Sequence, residues 1–354
     1  MLRRLATIKH NLPTHGRGSS RRRFVSMKAI QTTDLGSIDN YAVVDLPAPQ
    51  PGDGEVRVKV AACGVGFVDA LVALGRYQVK PSLPHVPGAE LAGLVDALGP
   101  GVTGFAIGER VLAQARGGFA EYAIASERTV SRMPDRMSMN QAAGFRVNYA
   151  TALHGLRDRA GLKAGETLVV IGAAGGVGLA AVQVGRLLGA NVIGVASTEQ
   201  KRAIVAQAGA GATLDRAVEG WRDRLKAASP GGIDVVFDPV SGPLLQPAFR
   251  SLGWGGRYLI VGFAGGDIPA LPVNLPLLKG AALIGVDYRQ FSAVFEVEAA
   301  ASELDELLAW VAKGELNVPV GRVFAFGEYR EALEYALSGH GTGKTILSVD
   351  PSLG

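Results

Sequence analysis

A chain of 354 residues that is 48% apolar and only 19% charged can bury two cores of domain size, and 48 glycines with 6% aromatics exclude a coiled coil or a disordered chain. The net charge of +4 invites a polyanion-binding reading, yet seven lysines and arginines and no acid fall in residues 1–26, so the rest carries −3 and offers nucleic acid no footprint. Cys63 is the only cysteine, which rules out an intramolecular disulfide and a thiolate-rich metal site.

Residues 1–26 are rich in arginine and serine and lack an apolar run long enough for a secretion signal. They read as a disordered extension, because Met27-Lys28-Ala29-Ile30 begins the first β-like run. That points to a cytoplasmic protein, with a mitochondrial transit peptide as the alternative. From 27 to 148, short β-like runs such as 55–60 and 110–113 alternate with Gly/Pro punctuation, the signature of a small antiparallel barrel. From 149 to 287, strands expected at 167–171, 191–196, 234–237, 257–262 and 282–286 alternate with helix-length segments, which implies a parallel sheet. Residues 288–354 hold a helical stretch at 303–310 and β-like runs at 322–326 and 345–349, and are expected to return to the first domain.

The most informative run is 167–186, a buried strand, a glycine turn and the first turns of a helix. Gly172, Gly175 and Gly178 are spaced so that the chain turns sharply, a pyrophosphate reaches bare backbone and the helix packs close to the strand. A second strand at 191–196 completes a βαβ unit of the expected length. At its tip stand Ser197-Thr198 and then Lys201-Arg202, where an NAD-binding protein carries an acid for the ribose hydroxyls. This cationic tip favours a 2′-phosphate and therefore NADPH, while the plainer reading is a solvated helix face with Glu199 blurring the charge. The segment 168–185 lacks formal charge over a length sufficient to span a bilayer, but its glycines and charged flanks argue against a membrane. Near the end, Ser338-Gly-His-Gly-Thr-Gly-Lys-Thr345 almost spells a phosphate-binding Walker loop. Its first glycine is missing and a β-like run follows it, so ATP binding is not expected.

Taken together, Gly75-Arg-Tyr-Gln-Val-Lys-Pro81, Pro87-Gly-Ala-Glu90, Gly108-Glu-Arg-Val111, Asn148-Tyr-Ala-Thr-Ala152, Ala173-Ala-Gly-Gly-Val-Gly178, Phe237-Asp-Pro-Val240 and Gly343-Lys344 form a specific set. On these, the chain after Met27 resembles the zinc-free quinone oxidoreductase branch of the medium-chain dehydrogenase/reductases, the group that includes zeta-crystallin. The resemblance implies an α/β protein with a GroES-like β-barrel domain (27–148 and 288–354) and a doubly wound Rossmann domain (149–287). The implied activity is NADPH-dependent, metal-free hydride transfer to a quinone or similar conjugated carbonyl, in a homodimer. An enoyl-thioester reductase is the enzymatic alternative, and an RNA-binding or crystallin-type protein the non-enzymatic one. Catalytic zinc ligands of the metal-dependent relatives would fall at Gly66 and Ala89, and the five histidines are scattered without ligand spacing, so no metal is expected. For the cofactor, the resemblance points to Asn148, Tyr149 and Thr151 on the nicotinamide side and to Ala174, Gly175, Gly176 and Val177 around the pyrophosphate. Ser197, Lys201 and Arg216 are assigned to the 2′-phosphate, and Phe263 and Lys344 to the far side of the cleft, with a plain surface lysine the alternative for Lys344. Tyr77 is the candidate substrate-facing hydroxyl, supported by Asp69. A half-buried aromatic that pins its loop is the equal alternative for Tyr77.

Overall fold

The computed structural model describes residues 25–217 and 219–353. The expected disordered extension therefore lies outside the described residues, except that Ser26 already belongs to the first strand, Ser26–Gln31.

Six parallel strands form one sheet, in the spatial order Ala212–Asp215, Asn191–Ala196, Thr167–Ile171, Ile233–Asp238, Leu252–Ile260, Ala282–Gly285. This is the doubly wound order, in which the chain reverses direction between Thr167–Ile171 and Ile233–Asp238. The central strands are buried on both faces, which explains their near-continuous apolar composition. Strand Ala212–Asp215 was not anticipated. It is four residues long, only half-buried and ends in an aspartate, so it carries little periodic signal.

A second sheet has seven strands, with Val320–Ala325, Lys344–Ser348, Glu55–Val65, Glu90–Leu98, Arg110–Gln114 and Val130–Arg132 in path order and Tyr122–Ser126 added on Glu55–Val65. Its pairs are antiparallel except the first, which is parallel. Of the two C-terminal strands, Lys344–Ser348 pairs with Glu55–Val65, and Val320–Ala325 pairs with Lys344–Ser348.

Helix Val297–Lys313 turns Ala300, Leu304, Leu307, Leu308 and Val311 inward at helical spacing and stops at Gly314, whose φ of +79 suits only glycine well. These side chains share a core with Leu153, Leu156, Leu179 and Ile346, each full leucine burial contributing about 1.5–3 kcal/mol. That core ties both sheets to the helices between them. No helix among the described residues is long and apolar enough to cross a membrane.

Candidate active site between the two sheets

Strand Thr167–Ile171 ends at Gly172, whose φ of +64 starts the turn into helix Gly176–Leu187. A side chain at Gly172 would also meet Val240 at 2.5 Å, and one at Gly178 would collide with the Gly172 carbonyl, so helix and strand approach as closely as the glycine spacing implied. The helix N-cap, Gly175, supplies no side-chain hydrogen bond. The amides of Gly176, Val177 and Gly178 therefore open the helix without partners inside it, which is the geometry that receives an anion.

Three elements enclose this amide cluster. Asn148, on helix Arg146–Leu153, donates Nδ2 to the Gly144 carbonyl at 3.1 Å and lies 2.7 Å from where a Cβ on Gly176 would stand. Tyr149 is fully buried and stacked on Phe145 at 4.7 Å, and its hydroxyl has no hydrogen-bond partner. Burial pushes this hydroxyl's pKa upward, so it stays protonated. Thr151 is half-buried on the same helix. From the C-terminal loop, Gly343 donates its N–H to the Ala174 carbonyl at 2.9 Å and bridges Gly175.

The third side is the turn of the Phe237-Asp-Pro-Val240 motif, whose carboxylate the sequence reading gave no role. Asp238 is fully buried; its Oδ1 accepts the Val240 and Ser241 amides at 2.8 Å each, and its Oδ2 accepts the Tyr258 hydroxyl at 2.6 Å. Burial raises the Asp238 pKa, and these donors act against it. The carboxylate holds Ser241 at φ +60, a left-handed conformation seen in no other non-glycine among the described residues. Phe263 follows in a loop whose next two amides, Ala264 and Gly265, donate to Pro239 and Val240, and the residue is 38% exposed.

At the tip of strand Asn191–Ala196, Ser197 is half-buried and Thr198 Oγ1 caps the next helix by accepting the Lys201 amide. Lys201 Nζ donates to the Gly339 carbonyl at 2.9 Å, spanning to the C-terminal loop. Burial lowers the Lys201 pKa and the Arg216 charge nearby lowers it further. Exposed Arg216 therefore stands close to Lys201, although 15 positions separate them. Arg202 is different: it donates to Asp215 Oδ2 at 2.6 Å, so of the adjacent pair Lys201-Arg202 the arginine is held in an ion pair. The Walker-like run is broken as anticipated, since Gly339 ends helix Tyr329–Ser338 and a strand begins at Lys344.

On the barrel side, Asp69 is the third residue of helix Phe67–Ala73 and its Oδ2 accepts the Gly66 amide at 2.7 Å. It is a capping carboxylate. Tyr77 is half-buried in the loop that follows, with its amide donating to the Leu71 carbonyl. Lys344 Nζ reaches Glu90 Oε2 at 3.2 Å, with side chains 13% and 3% exposed, so it is not a plain surface lysine. Glu90 Oε1 accepts the Val147 amide at 2.8 Å, so this carboxylate joins the barrel to the helix that carries Asn148. A charged residue opening the apolar strand Glu90–Leu98 was the available signal for it.

The donor set at Gly66 and Ala89 does not fit zinc, since neither residue offers a ligand atom and a Cβ on Gly66 would stand 3.6 Å from the Lys344 ammonium. Elsewhere the fold gathers what looked scattered: His154, Asp158 and Glu303 bring ligand atoms within 4.8 Å of one another. Arg157 fills that cluster, donating to Asp158, Glu303 and Glu306 at 2.8, 3.3 and 2.6 Å, which makes it an ion network.

Residues 52–135 match the alcohol dehydrogenase GroES-like domain family and residues 176–312 the zinc-binding dehydrogenase family. The chain is 34% identical over 327 residues to quinone oxidoreductase of Homo sapiens, covering 91% of this chain and 97% of that one. It is also 34% identical over 332 residues to quinone oxidoreductase-like protein 2 homolog of Nematostella vectensis, covering 91% and 89%. In structure it is similar to Escherichia coli quinone oxidoreductase complexed with NADPH, with a TM-score of 0.82 at 26% identity over 91% of this chain and all of that one. The bare glycine loop, the GroES-like and Rossmann sheets and these full-length likenesses agree: the chain belongs to the quinone oxidoreductase branch of the medium-chain dehydrogenase/reductase superfamily.

Proposed function

We propose that this protein is an NADPH-dependent oxidoreductase that reduces a quinone or a similar conjugated carbonyl without a metal. The observation that carries the reading is the partnerless amide cluster of Gly176, Val177 and Gly178 at the sheet's switch point, with Lys201 beyond the tip of strand Asn191–Ala196 and Arg216 just after strand Ala212–Asp215. Bound NADPH supplies the hydride. The protein's part is to hold the pyrophosphate on backbone amides from Ala174 to Val177 and the 2′-phosphate with Ser197, Lys201 and Arg216. Asn148, Tyr149 and Thr151 form the wall on the nicotinamide side, and Phe263 covers the opposite face. A Cβ on Gly176 would strike Asn148, so this wall and the amide cluster are fitted to each other. Tyr77 faces the acceptor from the barrel side, where exposed Val68, Val79 and Leu83 add apolar surface suited to a flat conjugated ring. Asp69 serves that wall by capping its helix. The protein thereby contributes orientation, exclusion of water and electrostatics.

The two functional units of this reading are 149–287 for the cofactor, with 27–148 and 288–354 for the acceptor. A homodimer is part of the proposal, formed through edge strand Ala282–Gly285. Beside that edge, Trp254, Val273, Leu277 and Leu278 are 85%, 89%, 79% and 68% exposed, an apolar surface of the kind a second subunit covers.

The test is a steady-state comparison of 1,4-benzoquinone with crotonyl-CoA under NADPH. The quinone is expected to be the better acceptor. Preference for the thioester by orders of magnitude would replace this reading with an enoyl-thioester reductase, and absence of any fluorescence or calorimetric response to NADPH would end both.

A further inference from the structure

Lys344 is built in two halves that face different parts of the site. Its backbone follows Gly343, whose amide is bonded to the phosphate loop at Ala174. Its side chain runs the other way, across the bare faces of Gly144 and Gly64. A Cβ on Gly144 would meet the lysine's Cβ and Cγ at 3.0 Å, and one on Gly64 would meet its Cε at 2.9 Å. The ammonium ends against Glu90 and beside Asp69, and the remaining side is Gly66. A Cβ there would stand 3.6 Å from Nζ and 3.2 Å from Asp69 Oδ2. Gly66 has φ −103, which any residue adopts, so the missing side chain leaves space in front of the cation and serves no backbone need.

We propose that the Lys344 ammonium, held by Glu90 behind the opening at Gly66, receives the carbonyl oxygen of the acceptor and stabilises the negative charge that develops there. This rests on the quinone-reductase reading above. As hydride reaches the carbon conjugated to the carbonyl, a C–H bond forms and an electron pair shifts through the conjugated system onto the oxygen. Both electrons are those of the reduced nicotinamide, and a proton from water completes the product. The Nζ–H donates to the oxyanion throughout and keeps its proton. Burial works to lower the lysine's pKa, but the charges of Glu90 and Asp69 outweigh it and raise it, so the group is a fixed cation and a poor acid. A fixed donor aimed at developing charge is worth about a hundredfold or more in rate.

The experiment uses the chain saturated with NADP+ and 4-nitrophenol as the probe, whose absorbance reports ionisation of a bound phenol. The native protein is expected to bind the phenolate about tenfold more tightly than the phenol, which lowers the bound probe's pKa by about one unit. Lys344→Met alone would leave Glu90 as an unpaired buried carboxylate, so the informative variant is the pair Lys344→Met with Glu90→Gln, whose amide oxygen can still accept from Val147. It should lose the phenolate preference and lower kcat by about a hundredfold, while the Kd for NADPH measured by fluorescence stays within about threefold. Gly66→Val, which leaves every charge in place, should also abolish the preference by closing the opening. Lys344→Arg should restore part of it. Retention of the phenolate preference by the folded double variant overturns the proposal, as does a large loss of NADPH affinity at unchanged kcat, which would make Lys344 a cofactor contact. Failure of the native chain to bind NADPH at all would instead remove the oxidoreductase reading, and this proposal with it.

Discussion

Replacing Lys201 by alanine removes one cation from the tip of strand Asn191–Ala196 and leaves the rest of the amide cluster untouched. In the structure Nζ donates to the Gly339 carbonyl, and the group is part-buried with Arg216 beside it. A charge-assisted hydrogen bond to a phosphate is worth about 1.5–3 kcal/mol, and every 1.4 kcal/mol is tenfold in affinity. The Kd for NADPH should therefore rise about 10- to 100-fold. NADH lacks the 2′-phosphate and should bind the variant as it binds the native protein. The lost contact to Gly339 costs about 0.5–1.5 kcal/mol of stability at most, too little to unfold the chain and common to both coenzymes. Calorimetric titration of each coenzyme into each protein separates the two effects, and raising the ionic strength should erode the NADPH preference in the native chain more than in the variant. Equal losses for NADPH and NADH, or none for either, would refute the assignment of Lys201 to the 2′-phosphate.

Gly172→Ala places a Cβ at φ +64 and against Val240, so it should destabilise by about 1–3 kcal/mol from backbone strain alone and weaken NADPH binding, read by thermal melts with and without the coenzyme. Glu303→Gln tests the buried ion network. Burial pushes the Glu303 carboxyl up to about 7, with His154 opposing and Asp158 adding to the shift. The native state therefore holds a proton that the unfolded chain releases, and stability falls as pH rises from the ordinary carboxylate range through about 7. The glutamine variant stays neutral, so calorimetry should show its Tm gaining on the native Tm at about pH 8 and not at about pH 5. A gain that is larger at the lower pH would reverse the sign and refute the argument. Finally, Leu277→Asp on the exposed apolar surface beside strand Ala282–Gly285 should shift sedimentation toward the monomer, with each buried leucine contributing about 1.5–3 kcal/mol to association. An unchanged dimer would move the interface elsewhere.

Local periodicity and glycine chemistry carried much of this protein. Strands Thr167–Ile171 and Asn191–Ala196 stand at the residues that the sequence pattern assigned to them, because both are buried, uninterrupted and bounded by turns. The phosphate loop was legible for the same reason. A glycine forced by φ, or by a carbonyl 2.2 Å from where a Cβ would stand, as at Gly178, leaves its mark on the sequence whatever the rest of the chain does. Short edge elements were not legible. Strand Ala212–Asp215 has too few residues to show a period, yet it is the element that brings Arg216 beside Lys201 and pairs Asp215 with Arg202.

Composition and spacing thus determined an α/β chain with a parallel sheet, antiparallel strands and a dinucleotide turn, since those features are properties of contiguous residues. Which charges meet was decided only by the tertiary structure. The pairing of Lys344 with Glu90, the joining of Asp238 to Tyr258 and the network of His154, Asp158 and Glu303 link residues from about 4 to about 250 positions apart. Their energies depend on burial and on distances of a few ångströms, and both arise only once the two sheets have closed on the helices between them.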